Sequence, residues 1–287
     1  MIIDFHTHLG RIVREDTALT IEDLLQNMEN MGVEKSVVLP LDGSPEGVIS
    51  SFTNEQVLEV YRKYPDRIIP FCKLDPRQLM NSPDTDFSWL LKEYIDFGCR
   101  GVGEVTANLY IDDPLCINLF RHCGASELPV LFHLVDQIGG TYGLVDDIYL
   151  PRLEKVLKEV PETIFVGHAM SFWAEISSVV DGKLRGNYPK GAIRKPGRLQ
   201  ELLIKYPNLY ADLSAGSGFN AISRDYEYGI KFLEEFQNKL VFGTDICRHG
   251  QEAPIANYIK TLLKEGRISQ SAYDKITHLN AERLLKL

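Results

Sequence analysis

Short β-rich apolar runs and amphipathic helical stretches alternate eight times along the 287 residues, and no other feature narrows the fold so far. The runs lie at 2–8, 35–40, 68–74, 101–106, 130–134, 163–168, 209–214 and 240–245. The helical patterns lie at 21–31, 54–64, 87–97, 114–125, 150–160, 197–206, 225–236 and 254–265. In the first of these, Ile21, Leu24, Leu25, Met28 and Met31 recur at the spacing of one buried helical face. Strand followed by helix, repeated, predicts parallel βαβ units. At this length the units are expected to close into a single-domain α/β fold, a (β/α)8 or TIM barrel over 1–287. Thr20 reads as an N-cap with Asp23 three residues on, and Pro114 suits a first helical turn. The tail 269–287 reads as one or two closing helices, and no repeat, low-complexity tract or linker interrupts the pattern.

Two connections exceed the ~2 to 6 residues usual between strand and helix. They are 136–149 and 169–196. Barrel active sites sit at the C-terminal ends of the strands, so both loops are expected to shape a pocket. The second, carrying Trp173, Lys183, Arg185, Tyr188, Lys190, Arg194 and Lys195, is the candidate lid. A plain surface loop with solvated charges is the competing reading.

With 31 Lys and Arg against 40 Asp and Glu, the formal net charge of -9 gives no broad basic surface to attract phosphate backbones. Nucleic acid is therefore not an expected partner. No run reaches the ~18 apolar residues of a membrane span, and the N-terminus lacks the pattern of a signal peptide. The five cysteines form no CxxC pair, which favours thiols in a reducing compartment, the cytoplasm being the simplest. The expected partner is a small-molecule substrate; a homo-oligomer is left open.

Histidine occurs seven times, and four copies fall at the C-terminal ends of expected strands: His6, His8, His133 and His168. His6 and His8 are two apart, and a strand's period of two puts both rings on one face. Barrel interiors are normally filled by branched apolar residues, so a buried histidine pair is costly unless something coordinates or hydrogen-bonds it. Asp245 ends the last strand and Glu104 the fourth, placing carboxylates at the same end. Such a set suits zinc or a similar divalent ion. Taken singly, each of these residues is more often structural; together they point to a metal site. His122 and His278 lie in helical patterns and read as structural, while His249 follows the last strand and could reach the rim.

The order HxH, Glu104, His133, His168, Asp245 resembles the amidohydrolase superfamily. The phrases 65–71, 74–77, 98–104, 129–133, 242–245 and 280–285 are similar to its amidohydrolase-2 branch, over essentially the whole chain. The resemblance implies that His6, His8, His133 and Asp245 surround a divalent ion, with Glu104 and His168 completing a second site or positioning substrate. It implies one or two ions, zinc first, with manganese, iron and nickel as alternatives. Zinc lowers the pKa of bound water from ~15.7 to about 7. Asp245 would take the water's proton and return it to the leaving group, and His168, if not a ligand, would polarise the scissile carbonyl. Many binuclear members carry a strand-four lysine that becomes carbamylated. Glu104 stands there instead, as in TatD-like and some phosphotriesterase-like members.

Candidate substrate contacts are Trp173, Arg194, Asp212, Ser214 and Arg248. The small residues 215–218 allow close backbone approach, and arginine offers a bidentate fork to a carboxylate. Asp212 and Ser214 could equally satisfy backbone groups at the strand end. The leading expectation is hydrolysis of a small carboxylated lactone, amide or ester. The alternatives are non-oxidative decarboxylation of a small unsaturated or aromatic acid, TatD-like phosphodiester cleavage, and a non-catalytic ligand-binding barrel.

Overall fold

The computed structural model describes residues 1–12, 16–41, 52–182 and 184–287. Eight parallel strands form the barrel: β1 (Ile3–Thr7), β2 (Lys35–Val38), β3 (Ile68–Pro70), β4 (Val102–Val105), β5 (Val130–Val135), β7 (Phe165–His168), β8 (Leu209–Asp212) and β9 (Leu240–Val241). They pair in the orders β1-β2-β3 and β4-β5-β7-β8-β9. Two parallel bridges join these sheets into a closed ring, Cys72 with Val102 and Thr7 with Ile246. An additional two-residue strand, β6 (Leu144–Val145), leaves the ring and pairs with the end of β5.

Alternation sorts the strand side chains. Ile3, Phe5, Val37, Leu39, Ile69, Phe71, Leu131, Val166, Tyr210 and Val241 pack together inside the ring. Ala281, Leu284 and Leu285 of the C-terminal helix join them, and Asn280 Nδ2 donates to Leu240 O at 2.8 Å, so that helix stoppers the N-terminal end. The larger apolar cluster lies between the ring and the surrounding helices.

The helices follow the expected pattern where it was strongest. Helix α1 (Ile21–Met31) starts at Thr20, whose side chain accepts from Asp23 N while Asp23 returns the bond as a capping box. Helix α4 (Pro114–Ala125) begins on its proline. Helices α5 (Pro151–Glu159) and α7 (Arg198–Lys205) precede β7 and β8 in the chain. Two further helices were not anticipated, α6 (Met170–Ala174) and α8 (Ala215–Ser223). The tail forms one continuous helical stretch containing a π turn at Lys275–Leu279.

Candidate metal centre

Parity alone would not bring His6 inward. Ile3 and Phe5 already face the interior, so unbroken alternation would turn His6 and His8 outward. The register of β1 against β2 shifts between Asp4 and Thr7, and this irregularity places Phe5 and His6 consecutively on the inner side. Asp4 secures it: its carboxylate accepts from His6 N (3.1 Å), Thr244 N (2.9 Å) and Thr244 Oγ1 (2.6 Å). Burial nonetheless pushes the Asp4 carboxyl up to about 7.

On β5, β7 and β8 plain alternation suffices. His133 follows Leu131, His168 follows Val166, and Asp212 follows Tyr210 on the inner face. On the last strand Gly243 makes room, because a Cβ there would lie 2.5 Å from Asp212 Oδ1 and 3.2 Å from His6 Cβ. The residues that turn the chain out of the mouth are strained. Ala169, Ala215 and Asp245 have φ of 84°, 58° and 55°, left-handed values for residues other than glycine. Asp245 is held there by its own N–H donating to His6 O (2.8 Å) and by Gln251 Nε2 donating to its carbonyl (2.7 Å).

These strands bring the donors to one mouth. His6 Nε2 and His8 Nε2 lie 2.9 Å apart. Asp245 Oδ1 is 3.6 Å and 3.5 Å from them, and Glu104 Oε2 is 4.0 Å and 3.8 Å away. Four ligand atoms around an ion with ~2.1 Å bonds stand about 3.4 Å apart in a tetrahedron, so the spacing suits zinc coordination. The other oxygen of Glu104 faces a second group: Oε1 accepts from His133 Nδ1 at 2.6 Å and lies 3.9 Å from His168 Nε2. Glu104 thus stands between two half-sites. Among the described residues, the sets His6, His8, Asp245 and His6, Glu104, His168 each have ligand atoms within 4.8 Å of one another.

The hydrogen bonds behind the histidines test whether a cation fits. His8 Nδ1 faces Leu39 O at 3.0 Å, which can only accept, so that nitrogen carries the proton. His6 Nδ1 faces Asp212 Oδ2 at 2.7 Å and is likewise the donor. Both Nε2 atoms then present lone pairs to each other at close range, which demands a proton or a cation between them. Their responses diverge accordingly. Burial disfavours charge on His6, but Asp245, Asp212 and Glu104 together push it up to about 10. Burial and the charge on His6 pull His8 down to about 4. Despite burial, Glu104 and Asp212 are held below the usual carboxylate range by the surrounding histidines. The residues present fit a divalent metal.

No protein-family model and no curated protein sequence matches the chain. Solved structures match along its whole length. A probable 2-pyrone-4,6-dicarboxylic acid hydrolase from Acinetobacter baumannii, with citric acid bound, has a TM-score of 0.61 at 14% identity, covering 100% of this chain and 99% of its own. A 2,6-dihydroxybenzoate decarboxylase from Rhizobium has 0.63 at 16%, covering 99% and 98%. An amidohydrolase from Burkholderia multivorans with bound zinc has 0.62 at 14%, covering 100% and 99%. The chain shares the barrel fold of these proteins.

Within that barrel, the residues singled out as substrate contacts divide. Asp212 is fully buried behind the histidines, accepting from His6 Nδ1 and lying 3.0 Å from His168 Nδ1. Ser214 Oγ donates to Asp212 Oδ2 at 2.5 Å and lies 3.0 Å from His168 Nδ1. Trp173 is 2% exposed, and its indole N–H donates to Asp212 O at 2.9 Å. All three are buried, with Asp212 and Ser214 against the Nδ1 side of the His6 and His168 rings. Arg194 and Arg248 are exposed on the loops after β7 and β9. His249 is on the rim, 3.4 Å from Asp23. His122 donates to Asn118 O within its helix. Lys183 lies outside the described residues.

The described residues of the 169–196 segment are anchored at two places. Ser177 pairs with Pro196 at its base, and buried Arg185 donates to Glu175 Oε1 (3.1 Å) and Asp146 O (2.6 Å). One residue of the other long loop was missed. The Tyr142 ring packs on His133 at 4.7 Å between centroids. Gly143 permits that approach, since a Cβ there would sit 2.8 Å from His133 Cδ2. A tyrosine beside a glycine in a loop is too common a pattern to single out. None of the five cysteines forms a disulfide, and no helix of the described residues is long and apolar enough to cross a membrane.

Proposed function

We propose that the chain is a metal-dependent hydrolase of the amidohydrolase-2 branch, acting on a small carboxylated lactone, amide or ester. The observation that carries this reading is the convergence of His6 Nε2, His8 Nε2, Asp245 Oδ1 and Glu104 Oε2 on one point at the barrel mouth. These four would hold one divalent ion. His133 and His168, facing Glu104 Oε1, would hold a second or orient the substrate. The ion, zinc by donor set and by the zinc-bound barrel of like fold, supplies water acidified toward neutrality and polarises a carbonyl.

The chain's own groups do the remainder. Asp245 is the most exposed carboxylate of the cluster, with its side chain 24% accessible. Its Oδ1 faces the His6 and His8 pair, and its Oδ2 lies 3.9 Å from His168 Nε2. It is therefore placed to accept a proton from attacking water and pass it to the leaving group. Asp212 holds the rings of His6 and His168 with their Nε2 atoms forward. Arg194 and Arg248, on loops at the mouth side, are the candidate partners of a substrate carboxylate. The hydrolase of like fold with citric acid bound supports a carboxylated substrate.

Decarboxylation is the second reading, supported by the decarboxylase of like fold. Metal-loaded protein offered a panel of carboxylated lactones, amides and unsaturated acids separates the two. Hydrolysis consumes water and releases acid, whereas decarboxylation releases carbon dioxide without it. Turnover that survives exhaustive chelation would remove both.

A further inference from the structure

The 136–149 loop brings one phenol to the mouth and holds it there. The ring of Tyr142 lies against His133, with centroids 4.7 Å apart and planes inclined by 49°. On either side of it the backbone is tied to the segment that follows β4. Buried Asn108 donates from Nδ2 to Gln137 O (3.1 Å) and Gly143 O (3.4 Å), and its Oδ1 accepts from Gly139 N. Gly143 N donates to Thr106 O and Val145 N to Leu109 O, both at 2.8 Å. Tyr142 is therefore positioned before any ligand arrives, and its placement costs nothing on binding.

The phenol overhangs the metal centre. Burial first, then Glu104, Asp245, Cys247 and Tyr188, raise its pKa. These neighbours come from β4, from the chain after β9 and from the 169–196 loop, so the hydroxyl is within electrostatic reach of separate sides of the ring. Tyr142 is half-buried, and its hydroxyl bonds to none of the described residues. A tyrosine with its ring packed and its hydroxyl at the open end normally meets a polar partner there. At neutral pH a phenol offers one O–H donor, and O–H bonds to a carboxylate are short and strong. Beside Glu104 and Asp245 it supplies that bond without adding charge to the mouth.

We propose that Tyr142 is a substrate-contacting residue whose hydroxyl donates to a carboxylate oxygen of the substrate on the His133 side of the mouth. The inference rests on the reading of the site as one for small carboxylated molecules. It adds a fixed, neutral donor to the exposed arginines of the rim, Arg194 and Arg248. Tyr142 would recognise the substrate without binding the ion, so loss of its hydroxyl should leave the metal in place.

The test is calorimetric titration of the zinc-loaded protein with sodium glutarate and, separately, sodium benzoate, with sodium chloride at matched ionic strength as reference. The expected result is saturable one-site binding of at least one carboxylate, weakened about tenfold in Tyr142→Phe, a loss of about 1.4 kcal/mol. That variant keeps the ring on His133 and removes only the hydroxyl, so zinc content and unfolding midpoint should match wild type. Tyr149→Phe, on the same loop with its side chain 52% exposed, should bind as wild type does. Equal affinity in Tyr142→Phe, or no saturable binding to wild type beyond chloride, means that water alone serves the phenol and overturns the proposal. Weaker binding accompanied by lost zinc would make Tyr142 a support for His133 and overturn it equally. The hydrolase reading fails separately: a contact shown by this titration stands even if no ester, amide or lactone is turned over.

Discussion

Asp212 serves two histidines at once, and that double use makes it the most informative single residue. One carboxylate oxygen meets His6 Nδ1 at 2.7 Å and His168 Nδ1 at 3.0 Å, with Ser214 Oγ donating to it as well. Replacing it with asparagine keeps the volume and removes the charge that fixes both tautomers. Asp212→Asn should therefore lower metal affinity about 10- to 100-fold without unfolding the protein, read by competitive metal titration beside circular dichroism. Undiminished affinity would mean that Asp212 does not position the ligands. Gly243 belongs to the same argument from the opposite direction. Its missing side chain leaves the space that Asp212 and His6 occupy, and an added Cβ would meet Ser214 Cβ at 2.9 Å. Gly243→Ala should displace the cluster, costing about 1–3 kcal/mol in denaturant unfolding together with most of the bound metal. A variant with wild-type stability and metal content would refute that packing.

At the scale of elements, Glu154 on α5 joins three partners of α7 and its end. It accepts from Arg198 Nη2 (2.6 Å), Lys205 Nζ (2.8 Å) and Tyr206 OH (2.9 Å). Lys205 and Tyr206, with Arg198 and Lys158, pull its carboxyl down to about 2 from an ordinary 4.5. A carboxylate depressed in the folded state contributes stability above its unfolded pKa and loses it as pH falls toward the folded value. Glu154→Gln should thus be less stable than wild type by about 1 kcal/mol at pH 7, a figure kept small by solvent screening. The gap should close between pH 4.5 and 2. A gap that stays constant with pH in urea titrations would assign the effect to packing instead.

The same scale shows what the sequence could and could not disclose. Helices with a strong apolar stripe, such as 21–31, and those opened by a proline, such as 114–125, were legible to the residue. Helix α8 was not, because Ala215, Gly216, Ser217 and Gly218 carry no stripe and read as loop. The glycines there do allow close approach, as a Cβ at Gly218 would lie 2.3 Å from Leu213 O, but inside a helix. His133 and His168 could be placed by alternation alone, whereas Asp245 lies beyond its two-residue strand in a left-handed conformation fixed by His6 O and Gln251. His6 could not, since its inward turn depends on a register shift set by pairing with β2 and by Asp4, both invisible to local pattern. Whether Asp212 faces a ligand or another side chain depends on which strands become neighbours, and that too is written only in the closed barrel.

For the whole molecule, the candidate metal donors come from five strand ends spread around one ring: His6 on β1 and His8 just after it, Glu104 on β4, His133 on β5, His168 on β7 and Asp245 after β9. Chain segments up to 239 residues apart, from His6 to Asp245, would be tied by one ion. The unfolded chain holds no such arrangement, so binding energy at the mouth becomes stability of the barrel. Free metal at 100 times its dissociation constant adds about 2.7 kcal/mol, and for a domain of this size that corresponds to a rise of roughly 5–10 °C in the unfolding midpoint. Scanning calorimetry with and without chelator should show this shift in wild type, restored when zinc is returned. His8→Ala should show little of it, because the opposite end of the barrel is stoppered independently by Ala281, Leu284 and Leu285 and keeps the fold intact. Equal midpoints for chelated and zinc-loaded wild type, or an undiminished shift in His8→Ala, would mean that these side chains do not grip an ion together, and the catalytic reading would fall with them.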